Sequence, residues 1–374
     1  METKHLHIIC HDVPYPPDYG GVYDLFYKIK MLSANGVHIH LHCFEYGRGE
    51  QQELNKYCLE VKYYSRKQGH KGFSHKLPYI VCSRSNYELL DDLLLDDFPI
   101  LAEGIHCSYL LNDRRFNERK IILRLHNVEW LYYKQLYQSS SSFFKKIYYL
   151  HESKILKHYE QNIADKAMII AVSEQDADFY REEFCAKNIV YLPVFLPFIQ
   201  IMSQKGRGCY CLYHGNLSVA ENEKTVMWLL EEVFNDLQLP LVIAGKKPSA
   251  HLERIIQQYA HTCLVANPSE EEMQDIIAKA QVHVLPSFNR TGIKLKLLNA
   301  LFNGRHCVVN EEAVKNTGLE NICHICSNPQ SFKKTISEIY HCPFEEEEIE
   351  RRKNILLSHY DNEKNVLQLI QWIW

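Results

Sequence analysis

The 374-residue chain has no run of the 18 or so apolar residues that a spanning helix needs, so nothing in it reads as a membrane span. It also lacks an excess of positive charge. Against 42 Lys and Arg stand 46 Asp and Glu, a formal net charge of −4, which argues against a nucleic-acid partner. No GxGxxG with its acidic ribose partner follows a strand-like run, which argues against a dehydrogenase. Residues 1–10, METKHLHIIC, contain no long apolar h-region and run straight into a strand, so no secretory leader is expected. The 13 cysteines are scattered and odd in number, and the CxxC at 323–326 has no second pair at zinc-site spacing. Most sit in strand-like runs, among them Cys10, Cys43, Cys209, Cys211 and Cys307. They read as small buried hydrophobes of a reducing cytoplasm.

What is present is alternation. Short β-rich runs (5–10, 37–44, then LEVKYY, PILAE, KIILRLH and KAMIIAVS) are interleaved with helical patterns as far as residue 173. Each run is apolar enough to be buried on both faces, as in a parallel sheet. Two prolines, at 193 and 197, end the series, and 194–207 reads as a linker. A second series follows: CYCLYHGN, LPLVIAGKKP, CLVANP, AQVHVLPS and GRHCVVN, again separated by helices. The expectation is α/β throughout, with two Rossmann-like domains at 1–195 and 205–357. The terminal VLQLIQWIW is too apolar to hang free, so the last helix, about 358–374, should dock on the first domain.

Several strand ends carry polar residues. In HDVPYPPDYGG, Gly20 and Gly21 open a helix where backbone N–H groups can approach an anion. In RLHNVEW, His126 and Glu129 follow a strand and should face the ligand crevice of an α/β domain. Ser173 suffices as a helix cap. In VLPSFNRTGIKLKLLNALFNGRHCVV (284–309), Arg290, Lys294 and Lys296 surround a helix start, where cations are disfavoured unless an anion lies among them. The loop YYSRKQGHKGFSHKLPY (63–79) holds Arg66, Lys67, Lys71 and Lys76. SSSSFFKKIYYL (139–150) sets Phe143 and Phe144 beside Lys145 and Lys146, a pattern suited to a membrane interface.

Taken in order, YPPDYGG, LRLHNVE, AVSEQD, YHGNLSVAENEKTVMWLL, LVIAGKKP and the 284–309 block resemble the GT-B glycosyltransferases, and among them retaining family 4. The resemblance covers almost the whole chain. It implies two facing Rossmann-like domains with a cleft between them and a C-terminal helix crossing back to the first. The nucleotide-sugar donor, a UDP- or GDP-sugar, would bind mainly the second domain, and a glycan or lipid-linked acceptor the first. No cofactor or metal would be needed, since helix dipoles and basic side chains carry the diphosphate charge. Gly20, Gly21 and Gly292 would meet the phosphates, and His126 the transferred sugar. Lys294, with Lys296 or Lys224, would replace the Arg and Lys that the family usually carries after the YHG strand. Asn299 and Thr291 stand at the family's two glutamate positions, and with Gly215 would face the nucleotide and ribose. Arg66, Lys67, Lys71 and Glu129 would lie on the acceptor side. The resemblance implies retaining transfer in polysaccharide or glycoconjugate synthesis, in the cytoplasm or at the inner membrane face. The rival readings are a GT-B sugar-nucleotide epimerase and a degenerate sugar-nucleotide binding protein.

Overall fold

The computed structural model describes residues 3–17, 20–140, 142–288, 294–315 and 317–374. The chain divides into two compact units: Met1–Pro197 with Tyr360–Trp374, and Phe198–Arg290 with Lys294–His359.

The first unit contains β1 (His5–Cys10), β2 (His38–Glu45), β3 (Glu60–Ser65), β4 (Ile100–Glu103), β5 (Ile121–Leu125), β6 (Met168–Ala171) and β7 (Ile189–Tyr191). They form one parallel sheet in the order β3-β2-β1-β4-β5-β6-β7. The order reverses between β1 and β4, and such a reversal opens a crevice at the strand C-termini. Strand periodicity sorts the core into two layers. Leu6, Ile8, Leu41, Leu101 and Ile122 pack with Leu25 and Ile29 of the helix Gly20–Ala34. Ile9, Phe44, Ala102 and Leu123 pack with Leu156 and Ile163 of the long helix Phe143–Ile163. The C-terminal helix Asn362–Ile373 joins the first layer through Val366, Leu369, Ile370 and Ile373. The Asn362 amide fastens it, donating to Leu196 O at 2.7 Å and accepting from Leu196 N at 3.2 Å. Histidines bridge β1 and β2: His5 Nδ1 lies 3.0 Å from His40 Nε2, and His7 Nδ1 lies 2.9 Å from His42 Nε2.

The second unit contains β8 (Cys211–Asn216), β9 (Leu241–Lys246), β10 (Thr262–Ala266), β11 (Val282–Val284), β12 (His306–Val309) and β13 (His324–Ile325). The sheet is again parallel, ordered β10-β9-β8-β11-β12-β13, with its reversal between β8 and β11. The helix Leu295–Asn303 comes between β11 and β12 and buries Leu297, Leu298, Leu301 and Phe302. It ends at Gly304, which lies so close to β11 that a Cβ there would stand 1.9 Å from His283 Nε2. Buried Arg352 satisfies the carbonyls at that end. Its Nη1 donates to Leu301 O at 3.2 Å and Gly304 O at 2.7 Å, and its guanidinium lies 4.6 Å from the Phe344 ring centre.

The described cysteines form no disulfide. Cys10, Cys43, Cys211 and Cys307 are buried as expected, whereas Cys209 is exposed. It precedes β8 instead of lying within it, so the sheet does not cover it.

Candidate active site

In the first unit the site lies where β1, β4 and β5 end. Glu103 shares its strand face with Leu101, and Arg124 with Ile122, so both carry charge into the layer beneath the helix Gly20–Ala34. That helix answers with Asp24 and Lys28, one turn apart. Lys28 Nζ lies 2.9 Å from Asp24 and 2.8 Å from Glu103. Arg124 grips both Asp24 oxygens at 3.1 Å and donates two further N–H groups to Leu192 O and Pro193 O. Asp24 also accepts from Phe195 N at 2.8 Å. Asp24, Lys28, Glu103 and Arg124 are all buried, and their charges cancel in pairs, which is the condition under which such groups can leave water. Burial alone would raise both carboxyls. Arg124 and Lys28 beside Asp24, and Lys28 and His126 beside Glu103, outweigh it and hold both below the usual carboxylate range.

This cluster holds His126. Its Nε2 lies 3.1 Å from Glu103 Oε2. An ionised carboxylate can only accept, so Nε2 carries the proton. Nδ1 has no hydrogen bond to the described residues. Gly104 permits this approach: its φ is +79°, and a Cβ would stand 3.0 Å from His106 Nδ1 and 3.5 Å from His126 Nδ1. The His11 ring packs 5.3 Å from His106 and 5.5 Å from His126. Burial first, then nearby cationic and imidazole groups, push His11 and His106 well below the usual range, so both are neutral. Asp24, Glu103 and His126 offer ligand atoms within 4.8 Å of one another. The Lys28 ammonium already occupies the cation position between the two carboxylates.

In the second unit the corresponding place lies between β8 and the helix Leu295–Asn303. Lys296 Nζ donates to Tyr213 OH and Asn222 Oδ1, both at 3.0 Å, and lies 4.7 Å from the Tyr213 ring centre. Burial pushes its ammonium down to about 8, against the pull of Glu221. Asn222 Nδ2 donates to Asn216 O at 2.9 Å, tying β8 to the helix Ala220–Trp228. Gly215 is the last residue but one of β8, with a φ of +159°.

The residues singled out from the sequence fare unequally. Gly20 and Gly21 open the helix Gly20–Ala34, and Ser173 caps its helix, accepting from Asp176 N at 3.1 Å. Lys294 is the N-cap residue of Leu295–Asn303, half-buried. Asn299 Oδ1 accepts from Asn303 Nδ2 at 2.8 Å. Arg290, Thr291 and Gly292 lie outside the described residues. Arg66 donates to Ser83 Oγ at 3.2 Å and Lys67 to Ser85 Oγ at 2.7 Å, while Lys71 is exposed. Glu129 departs from expectation. It is buried at the start of Glu129–Ser139 instead of facing an open crevice, because the backbone N–H groups of Glu129 and Trp130 are fastened to Glu160 at 2.9 and 3.0 Å. Burial raises the Glu129 carboxyl to about 7. Sequence reasoning passed over Asp24, Lys28, Glu103, Arg124, His11, His106 and Tyr213. The signal available for three of them was a charge inside an apolar pattern: Glu103 in ILAE, Arg124 in IILRL, Lys28 in FYKIK.

Two successive parallel sheets, each with a polar site at its reversal, and a C-terminal helix returning to the first define the GT-B architecture of glycosyltransferases. Residues 208–341, most of the second unit, match the family described as glycosyl transferases group 1. Solved structures of the same fold include sucrose-phosphate synthase from Thermosynechococcus elongatus (TM-score 0.73, 13% identity, 98% of each chain). Others are HepE of Anabaena in complex with UDP and glucose (0.65, 12%, 98% of each) and TarM of S. aureus in complex with fondaparinux, alpha-GlcNAc-glycerol and UDP (0.66, 10%, 99% of each). A Klebsiella pneumoniae protein described as an uncharacterized 44.6 kDa protein in the cps region is 28% identical over 335 residues, covering 83% of this chain and 84% of that protein.

Proposed function

We propose that the protein transfers a hexosyl unit, with retention, from a UDP- or GDP-sugar to a glycan or lipid-linked glycan in surface polysaccharide synthesis. The observation that carries this reading is the cationic start of Leu295–Asn303 within a segment matching group 1 glycosyltransferases. Lys296 is aimed at the end of β8 by Tyr213 and Asn222, which use two of its three N–H donors. The third, with the Lys294 side chain and the N-terminal dipole of the helix, suits a diphosphate. Asn299, one turn on, and Gly215 suit the nucleoside. The UDP complexes of HepE and TarM support a nucleotide donor, and the cps-region relative supports a polysaccharide product.

The first unit's part is positioning. His126, held by Glu103, offers Nδ1 to a sugar hydroxyl, and Gly20 and Gly21 offer backbone N–H groups. Transfer on one face, with the departing phosphate taking the acceptor proton, needs no separate base, so charge stabilisation and orientation supply the catalysis. Peripheral membrane contact fits Phe143 and Phe144, which are 71% and 83% exposed beside Lys145 and Lys146.

Titration with UDP- and GDP-sugars, followed by thermal unfolding, tests the reading. One nucleotide series should stabilise the protein, and Lys294→Ala should lower sugar turnover by orders of magnitude while the variant stays folded. Absence of stabilisation by every nucleotide sugar would overturn the transferase reading.

A further inference from the structure

Arg84 is a buried cation of the first unit. It is 4% exposed and has no ion pair among the described residues. Its Nε donates to His11 O at 2.9 Å and its Nη1 to Ile80 O at 3.0 Å. Those are two of five donors. Arg352, the comparable buried guanidinium of the second unit, is instead bonded to Ser203 Oγ and to the carbonyls of Leu301, Gly304 and Arg305. A second guanidinium stands near Arg84. Arg66 lies 4.6 Å from the Tyr46 ring centre and Arg84 lies 5.8 Å from the same centre. Their mutual repulsion adds to burial in holding Arg84 below its usual range. Asp12 pulls the other way, but at electrostatic range and not through a bond to Arg84. Two like charges with no carboxylate bonded to either are costly unless an anion completes the set. Two more groups point the same way. The buried His11 Nδ1 and His106 Nδ1 have no hydrogen-bond partner among the described residues, and both imidazoles lie within electrostatic reach of Arg84. Lys67, fixed on Ser85, is on the same stretch as Arg66.

We infer that Arg84 and Arg66, with His11 and His106, form an anion site in the first unit that takes the charged group of the acceptor: the phosphate of a lipid-linked sugar or the carboxylate of an acidic sugar. The inference rests on the transferase reading for the word acceptor, but the anion site itself does not. A planar oxyanion suits the two guanidinium forks, with an imidazole in its Nδ1–H tautomer as a further donor and the Tyr46 ring beside both cations.

Calorimetric titration with inorganic phosphate, pyrophosphate and glucuronate tests it, on the unaltered protein and on Arg66→Gln, Arg84→Lys and Lys296→Gln. The expected result is binding of at least one anion that Arg66→Gln weakens about tenfold or more, as loss of a charge-assisted bond should. Arg84→Lys should weaken it likewise, and UDP affinity should be unchanged by Arg66→Gln. Preference for the phosphates would mark a phosphorylated acceptor, and preference for glucuronate an acidic sugar. Anion affinity unchanged by Arg66→Gln, or lost only with Lys296→Gln, overturns the inference. Because the proposed donor site uses neither Arg66 nor Arg84, failure of UDP and the nucleotide sugars to bind would count against the transferase reading and not against this site.

Discussion

Lys28 shows what one buried charge does here. Its ammonium bonds both Asp24 and Glu103, so Lys28→Met would leave Asp24 to Arg124 and Glu103 to His126, with one cation fewer in the cluster. Removing one member of a buried ion cluster costs about 3–5 kcal/mol, and the urea midpoint of the first unit should fall accordingly. A variant as stable as the parent would mean the cluster is hydrated. Lys296 makes a different prediction. Burial lowers its ammonium to about 8, so it is charged at neutral pH and loses its proton as pH rises through that value. Nucleotide affinity should therefore weaken between pH 7 and pH 9, whereas Lys296→Arg, which stays charged, should remove the dependence. Identical pH profiles for parent and variant would show that the diphosphate does not depend on this ammonium.

At the scale of elements, the helix Leu295–Asn303 is positioned by a contact at its end. Gly304 has an ordinary negative φ, so its constraint is steric: the His283 ring occupies the space a methyl would need. Gly304→Ala should cost about 2–3 kcal/mol by overpacking. In the double variant with His283→Ala the losses should fall short of their sum, measured by denaturant unfolding. Strict additivity would place the strain elsewhere. The long helix Phe143–Ile163 buries Leu156, Tyr159 and Ile163 yet leaves Phe143 and Phe144 outside the core. Sedimentation with anionic liposomes at low salt should carry the protein down, and Phe143→Ser with Phe144→Ser should abolish it. A parent protein that stays in the supernatant ends the membrane proposal.

For the whole molecule, buried neutral imidazoles set the response to acid. Burial lowers both His42 in the first unit and His214 in the second to about 3, against an unfolded value near 6.5. Between those values the unfolded chain binds protons that the folded chain refuses. Stability is therefore fully present above about pH 6.5 and is lost as pH falls toward 3, at roughly 1.4 kcal/mol per pH unit for each such histidine. Thermal midpoints should decline steadily below pH 6.5. A flat profile from pH 7 to 4.5 would require these rings to be hydrated.

The order of elements, their parallel pairing and the division into two α/β units were legible in the chain itself, because apolar periodicity is a local property and a run buried on both faces has few places to go. So was the apolar terminal helix, and His126, Lys294 and Lys296 stood out as the candidates on which the proposed function rests. Tertiary structure alone decided what the buried charges mean. Arg124 meets Asp24 across 100 residues only because β4 and β5 follow β1 in the sheet, bringing the ends of three strands under one helix. The same reversal sets Arg84 against the backbone of His11, 73 residues away. Burial of a charge is favourable only with its partner in place, and partners so distant in sequence are chosen by strand order.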